Sequence, residues 1–251
     1  MKELLAPAKL TWFLEVTGRR DDGLHELRSE MVSVGFADRL EIDESSDYLR
    51  LEGPFSGVPL DEHNLVTRAL ALVGRRAGVT LHKVIPPGGG LGGGSADAAA
   101  ILRWAGGVSK EAALSLGGDV PFCQVGGRAF VEGVGERVSV LPDEQRDVTL
   151  ILTGLVMNTR RVYSAYDELV ATGERPGGRN HLESAARVVE PRLATTMDWL
   201  RATLGDRVQL AGSGSTLFVE GHLEPGVESW DVVGPEGSVQ FRQTTTTPSE
   251  A

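Results

Sequence analysis

The sequence predicts an α+β fold with two domains, residues 1–144 and 145–251. Two observations support this prediction. In the first half, segments with period-two alternation precede a glycine-rich loop and an alanine-rich helix. In the second half, a strand is followed by helices and then by further strands, the order typical of α+β folds. The length of 251 residues suits one large or two small domains. We place the boundary near residues 142–146.

Composition excludes several classes of function. The formal net charge is -10, which disfavours a nucleic-acid coat and a polybasic membrane patch. Cys123 is the single cysteine, so no intramolecular disulfide can form, as is typical of a reducing cytoplasm. No run of residues is long and apolar enough to span a bilayer. We therefore expect a cytoplasmic protein with no nucleic-acid or membrane partner, and this composition leaves a small-molecule site open.

The first predicted strand covers residues 8–16, where apolar and polar positions alternate. Leu10 and Trp12 fall on one face, and Lys9 and Thr11 on the other, which we expect to face away from the core. A polar turn follows at residues 17–27. Further strands are predicted at 27–36, at 38–42 paired with 48–52, and at 79–85, with an amphipathic helix at 64–77.

The most informative stretch is residues 86–100, in which six of the seven positions from Gly88 to Gly94 are glycine. Ser95 follows and opens a predicted helix, 96–104, with Asp97 in its first turn. A bare backbone that runs into a helix N-terminus can hold a phosphate. The alternatives are a flexible linker, a P-loop and a dinucleotide loop. A P-loop would need a lysine that is absent here. The glycines match the dinucleotide pattern, but Pro86 and Pro87 between strand and loop, and the lack of a following strand that ends in an acidic residue, argue against it.

The remaining elements follow the same principles. A short helix is predicted at 109–116, and Asp119 follows two glycines in what is usually a turn or a cap. The second half contains strands at 148–152, 208–210 and 216–220 and two more near Val232 and Gln240. Its helices cover 159–170, with Thr159 as the N-cap and Val170 facing inward, 180–189, and 191–204, with Pro191 in the first turn. The polar tail from Thr244 is expected to fray.

Three motifs resemble those of the galactokinase, homoserine, mevalonate and phosphomevalonate (GHMP) kinase superfamily. They are Pro-x-x-x-Gly-Leu-Gly-x-x-Ser at 86–95, Gly-x-Asp-Val-Pro-Phe at 117–122 and Gly-Ser-Gly-Ser at 212–215. A fourth segment, Pro-Ala-Lys-Leu followed by Gly-Arg-Arg-x-Asp-Gly-x-His-Glu-Leu within residues 7–27, narrows the match. It resembles the opening of the 4-diphosphocytidyl-2-C-methyl-D-erythritol kinases, one family of that superfamily.

The resemblance implies a fold and an activity. The N-terminal domain would be ribosomal S5 domain 2-like and the C-terminal domain ferredoxin-like, with the active site in the cleft between them. The activity would be ATP-dependent phosphorylation of the 2-hydroxyl of 4-diphosphocytidyl-2-C-methyl-D-erythritol, in the methylerythritol phosphate route to isoprenoids. ATP and Mg²⁺ would be needed, and the chain would be a monomer or a weak dimer.

The resemblance also implies the site residues. Lys9 and Asp119 would be the catalytic pair, with Asp119 as the general base and the cation of Lys9 favouring its charged form. Ser95 is the candidate contact for Mg²⁺. The ATP phosphates would be bound by Pro87, Gly88, Gly89, Gly90, Leu91, Gly92, Gly93, Gly94 and Ser95. The acceptor would be bound by Thr11, Leu24, His25, Asp119, Gly212 and Ser213, with His25 hydrogen-bonded to the cytosine.

The chain departs from the family pattern at three places. Thr11 stands where the family usually has Asn, and Leu24 where it usually has a Tyr that stacks on cytosine. The segment after Trp104 is shorter by several residues. Two alternatives to the leading hypothesis, an active kinase of this family, therefore remain open. One is another small-molecule kinase of the superfamily, against which the turn at 18–25 argues. The other is a ligand-binding homologue that has lost catalysis, against which the retention of Lys9, Ser95 and Asp119 argues.

Overall fold

The computed structural model describes residues 1–55 and 57–249. Runs of strands and runs of helices follow one another along the chain, and the strands form two sheets. The strands are β1 Lys2–Arg19, β2 His25–Asp43, β3 Tyr48–Glu52, β4 Gly78–His82, β5 Arg128–Gly133, β6 Arg137–Val140, β7 Asp147–Leu152, β8 Gln209–Leu210, β9 Leu217–Glu220, β10 Ser229–Gly234 and β11 Gly237–Thr245. The α-helices are α1 Leu65–Leu72, α2 Gly93–Trp104, α3 Lys110–Leu114, α4 Val120–Val125, α5 Thr159–Ala171, α6 Glu183–Val189 and α7 Pro191–Leu204, and a 3₁₀ turn covers Gly205–Arg207.

The first sheet is built on the long antiparallel pair β1 and β2, whose register runs from Lys2 opposite Ile42 to Arg19 opposite His25. The strand order is β3-β4-β2-β5-β6, with β1 added on β2. The predicted pairing of 38–42 with 48–52 is wrong, because β4 lies between β2 and β3. Strands adjacent in sequence are not always neighbours in the sheet, and β3 runs parallel to β4 after a helical crossover.

The second sheet has the order β10-β11-β7-β9-β8. Helices α5, α6 and α7 supply much of the apolar core beside it, which includes Val162, Leu193 and Met197. The predicted inward position of Val170 is wrong, since its side chain is 44% exposed near the end of α5. Pro191 occupies the first turn of α7 as predicted. The N-cap of α5 is Asn158 and not Thr159, because the Asn158 side chain accepts a hydrogen bond from the Arg161 amide.

A third apolar cluster joins the two sheets. It contains Leu10 and Trp12 from β1 together with Leu150 and Phe218 from the second sheet, and the rings of Trp12 and Phe218 lie 5.5 Å apart. The polar tail also crosses between the halves, since Thr246 bridges to Val34 and Ser249 to Gly126. The expected fraying therefore does not hold for the described part of the tail. The division at residue 144 stays a prediction.

The helix boundaries differ from the predicted ones in the glycine-rich and polar segments. Helix α1 ends at Leu72 rather than residue 77, because Gly74 takes a positive φ just beyond it. Helix α4, directly after Asp119, has no counterpart among the predicted elements. No described helix combines the length and the apolar character needed to cross a membrane.

Candidate active site

The glycine-rich loop ends at Gly92, which has φ 65° and is the N-cap of α2. The helix therefore begins within the glycine run, earlier than the predicted start at residue 96. A Cβ on Gly92 would lie 2.6 Å from Cγ of Lys9, and one on Gly90 would lie 2.5 Å from the carbonyl oxygen of Ala211. These close approaches and the left-handed backbone explain why glycine is required at both positions.

Lys9 lies directly against this loop. Its amide donates to the carbonyl of Leu91 at 3.0 Å, and its Nζ lies 3.2 Å from both Asp119 Oδ2 and Thr11 Oγ1. The exposed fractions of Lys9 and Thr11 are 6% and 1%. The prediction that their face points away from the core is wrong, because the loop and the start of α2 cover it.

Asp119 stands at the start of α4 but makes no capping hydrogen bond with its side chain. The side chain is 33% exposed, while that of Lys9 is 7% exposed. The ion pair therefore joins a buried ammonium to a carboxylate that reaches a cavity. A carboxylate that is partly open to a cavity and lies beside a buried cation can accept a proton from a bound alcohol.

The loop at 211–215 is the turn between β8 and β9 and also borders the predicted catalytic pair, Lys9 and Asp119. A Cβ on Gly212 would lie 3.4 Å from Thr11 Oγ1 and 3.5 Å from Lys9 Nζ. Ser213 Oγ lies 3.0 Å from Thr159 Oγ1. Asn180, which the sequence did not single out, donates to the carbonyl of Gly212 at 2.7 Å and so fixes the loop.

A cavity of about 310 Å³ lies between the glycine-rich loop and these residues. Every predicted phosphate-binding position except Leu91 lines it, whereas Leu91 is fully buried. Its other lining residues include Lys9, Thr11, Asp119, Thr159, Gly212 and Ser213. We call it the loop cavity. The structure thus brings together the glycine-rich loop, the ion pair of Lys9 and Asp119, and the 211–215 loop.

A second cavity, of about 750 Å³, contains Leu24 and His25 among its lining residues. We call it the acceptor cavity. Six residues line both cavities, namely Leu27, Met31, Ser95, Asp119, Thr159 and Tyr163. The two spaces therefore meet at Asp119, with the glycine-rich loop on one side and the turn at 23–25 on the other.

His25 is held by partners that the sequence reasoning missed. Its Nε2 lies 2.7 Å from Asp167 Oδ1, and its ring stacks on Tyr163 with a centroid distance of 4.7 Å. Burial raises the pKa of Tyr163, so its hydroxyl stays neutral. Tyr163 and Asp167 are four residues apart on α5, a spacing that places them on one helix face and could have indicated the site. Leu24, by contrast, is 53% exposed.

A buried charged cluster lies beneath the start of α2. Lys83 Nζ donates to Asp38 and, at 2.7 Å, to Asp97 Oδ2. Asp97 is the fifth residue of α2 rather than a first-turn residue, and burial raises its pKa to about 7, with Asp38 adding to the rise and Lys83 opposing it. A Cβ on Gly93 would lie 2.8 Å from Lys83 Nζ. The cluster thus fixes α2, and with it the loop, against β2 and β4.

Comparison with known proteins gives consistent results. The family described as GHMP kinases N terminal domain matches residues 64–127. A 4-diphosphocytidyl-2-C-methyl-D-erythritol kinase of Nitrosomonas eutropha (strain DSM 101675 / C91 / Nm57) is 34% identical over 245 residues, which cover 88% of this chain and 88% of the relative. One of Jannaschia sp. (strain CCS1) is 38% identical over 242 residues, covering 85% and 86%. The chain belongs to the 4-diphosphocytidyl-2-C-methyl-D-erythritol kinase family.

A solved structure supports the same assignment for the fold. The crystal structure of a 4-(cytidine 5'-diphospho)-2C-methyl-D-erythritol kinase matches with a TM-score of 0.70 and 32% identity, covering 98% of this chain and 100% of the other. The predicted GHMP kinase fold, the α+β class and the small-molecule kinase class are confirmed. The roles of the individual site residues stay predictions.

Proposed function

We propose that this chain transfers the γ-phosphoryl group of ATP to the 2-hydroxyl of 4-diphosphocytidyl-2-C-methyl-D-erythritol, in the methylerythritol phosphate route. The observation that carries the proposal is the position of Asp119. It lines both the loop cavity and the acceptor cavity and pairs with buried Lys9 at 3.2 Å. A carboxylate at the junction of two cavities suits transfer from one ligand to another.

The loop cavity suits the phosphates of ATP. Amide groups of Gly93, Gly94 and Ser95 at the start of α2 have no intrahelical partner, and glycines let a phosphate approach the backbone. Pro87 to Gly90 line the same space. Leu91 does not reach this space, because the residue is fully buried; its carbonyl instead accepts a hydrogen bond from the Lys9 amide and so holds the loop against β1.

Mg²⁺ fits the oxygen donors of this space. The described residues contain no group of three or more acidic, histidine or cysteine side chains that would form a closed metal site. Ser95 and Asp119 line the cavity together, and Mg²⁺ usually binds through one or two protein oxygens and the phosphates of its nucleotide. Bound there, the ion would neutralise phosphate charge.

Side chains of the protein itself can take up the proton that the acceptor hydroxyl loses. Asp119 accepts the proton of the attacking hydroxyl as the new bond to phosphorus forms and the bond to ADP breaks. The ammonium of Lys9 holds the carboxylate in place and stabilises negative charge near the acceptor oxygen. Thr11 orients the Lys9 ammonium through the contact at 3.2 Å.

The acceptor cavity suits the cytidine end of the acceptor. His25 is fixed by Asp167 and stacked on Tyr163, so the turn offers a preorganised polar edge for the base. Leu24 supplies an apolar contact beside it. Thr11, Gly212 and Ser213 border the erythritol from the side of the loop cavity.

We infer that the chain works as two domains, 1–144 and 145–251, and as a cytoplasmic monomer or weak dimer. This boundary is supported by the sheets: β6, which ends at Val140, belongs to the first sheet, and β7, which begins at Asp147, belongs to the second. The single cysteine, Cys123, is buried and therefore compatible with a reducing compartment.

The test is a turnover assay with ATP, Mg²⁺ and a panel of acceptors. ADP release should require 4-diphosphocytidyl-2-C-methyl-D-erythritol and should be absent with homoserine or mevalonate. Turnover with homoserine or mevalonate would instead support a different GHMP kinase. ATP binding without turnover on any acceptor would support the hypothesis of a ligand-binding homologue that has lost catalysis. Leu24 would then be the first residue to test.

A further inference from the structure

The acceptor cavity contains more acidic, basic and histidine side chains than the proposed site uses. They are Arg19, Asp22, His25, Asp119, Arg160 and Asp167. A diphosphate carries several negative charges, and three of these side chains are themselves acidic. To bind a diphosphate, the cavity therefore needs a cationic side chain whose charge no acidic side chain already neutralises.

All but one of these groups have an ionic or hydrogen-bonded partner. Asp119 pairs with Lys9, and Asp22 with Arg20 at 3.0 Å. Asp167 accepts from His25 and also pairs with Arg19 at 3.3 Å. Among the described residues, Arg160 has neither an ion-pair nor a hydrogen-bond partner for its side chain. Its guanidinium is thus the unneutralised cation of this cavity.

Arg160 is the first of four residues of α5 that line the acceptor cavity along one face of the helix. Arg160, Tyr163, Ser164 and Asp167 all line the cavity, and their spacing of three, one and three residues places them on one face. Tyr163 stacks on His25 at 4.7 Å. Arg160 lies about one helical turn, roughly 5 Å, toward the N-terminus from Tyr163, and its neighbour Thr159 also lines the loop cavity.

We propose that Arg160 binds the diphosphate of the acceptor. This inference rests on the proposed function, because it takes a cytidine diphosphate compound as the ligand. The base then lies beside His25 and Tyr163, the diphosphate beside Arg160, and the alcohol beside Asp119. A planar guanidinium suits this role because it can donate two parallel hydrogen bonds to phosphate oxygens.

The test compares the binding of cytidine 5'-diphosphate and cytidine by calorimetry. The wild-type chain should bind the diphosphate more tightly, and Arg160→Gln should weaken diphosphate binding by about 10- to 100-fold, as for loss of hydrogen bonds to a charged group. Cytidine binding should change by less than about twofold. Arg160→Lys should restore part of the difference, since it keeps the charge and loses the fork.

Arg161→Gln is the matched control. Arg161 is the next residue on α5 and is exposed like Arg160, but it lines neither cavity. The Arg161→Gln chain should bind cytidine 5'-diphosphate and cytidine as tightly as the wild-type chain does. An Arg160→Gln chain that retains the full preference for the diphosphate would overturn the proposal, as would equal losses in Arg160→Gln and Arg161→Gln.

The same variants separate this inference from the proposed function. If the wild-type chain binds cytidine 5'-diphosphate but does not phosphorylate the proposed acceptor, the function fails while the Arg160 comparison still decides the inference. If the acceptor is phosphorylated, Arg160→Gln should raise the acceptor KM by about tenfold or more and leave the KM for ATP unchanged. A raised KM for ATP alone would contradict the assignment.

Discussion

Lys9 Nζ lies 3.2 Å from Asp119 Oδ2, although one residue belongs to β1 and the other precedes α4. The ammonium is almost completely buried and the carboxylate is partly open to both cavities. This arrangement depends on the glycine-rich loop, because Gly92 packs against the aliphatic part of Lys9. The conformation of the loop and the geometry of this ion pair are therefore coupled, and the coupling can be measured.

Gly92→Ala should destabilise the chain and displace Lys9. The new Cβ would lie 2.6 Å from Lys9 Cγ, and Gly92 has φ 65°, which alanine rarely adopts. We expect a loss of about 1–3 kcal/mol in the free energy of unfolding, together with a lower kcat. Urea denaturation and steady-state kinetics measure the two effects.

Gly94→Ala is the stability control for this prediction. A Cβ on Gly94 would make an ordinary contact with Leu65 Cδ1 at 3.5 Å, and the residue is helical. The stability should stay the same or rise by up to about 1 kcal/mol, because alanine favours helix more than glycine does. Equal destabilisation by both substitutions would show that Lys9 is not what requires glycine at position 92.

Leu24→Tyr should improve acceptor binding. Leu24 is 53% exposed and lines the acceptor cavity beside His25, so a larger ring has room there. An added aromatic contact of about 0.5–1.5 kcal/mol predicts an acceptor KM about 2- to 10-fold lower. The KM for ATP should not change.

Leu60→Tyr serves as the matched control, because Leu60 is 47% exposed and lines neither cavity. It should leave both KM values at the wild-type level. An acceptor KM that is unchanged or higher in Leu24→Tyr would mean that the base does not lie against position 24.

Asp97→Asn should change how stability depends on pH. In the folded chain burial raises the pKa of Asp97 from 3.8 to about 7, so the folded state binds more protons than the unfolded state between these values. The contribution is fully present below pH 3.8 and is lost as pH rises through 7. Wild-type stability should therefore fall by up to about 1.4 kcal/mol per pH unit in this range from Asp97 alone.

Urea unfolding at several pH values between about 5 and 8 measures this effect. Asp97→Asn cannot titrate at this position, so its stability should decline less steeply with pH than that of the wild-type chain. Asp143→Asn, at an exposed position, should keep the wild-type slope. Parallel slopes for the wild-type chain and Asp97→Asn would refute the assignment of the raised pKa to Asp97.

Much of the site could be predicted from the sequence because its motifs are local. The glycine run, the Asp119 segment and the turn at 18–25 each carry their residues in a short stretch. The period-two pattern also predicted residues 8–16, the central part of β1, although the strand runs from Lys2 to Arg19, and the position of Pro191 identified the start of α7. These features depend on backbone requirements of neighbouring residues, which a single sequence displays directly.

The features that the sequence did not predict depend on tertiary packing. Burial of Lys9 and Thr11 requires α2 to cover one face of β1, and the separation of β2 from β3 requires β4 to insert between them. The contact between His25 and Asp167 joins β2 to α5. No local pattern reports such contacts, because each partner alone looks like an ordinary surface residue.

The most direct test of the account is the kcat of Asp119→Asn with ATP, Mg²⁺ and 4-diphosphocytidyl-2-C-methyl-D-erythritol. The amide keeps the size of the side chain but cannot accept the proton, so kcat should fall by about 10²-fold or more while both KM values change little. Asp198→Asn, at a 64% exposed position, should match the wild-type chain. A kcat for Asp119→Asn within about threefold of the wild-type value would contradict the assignment of Asp119 as the base.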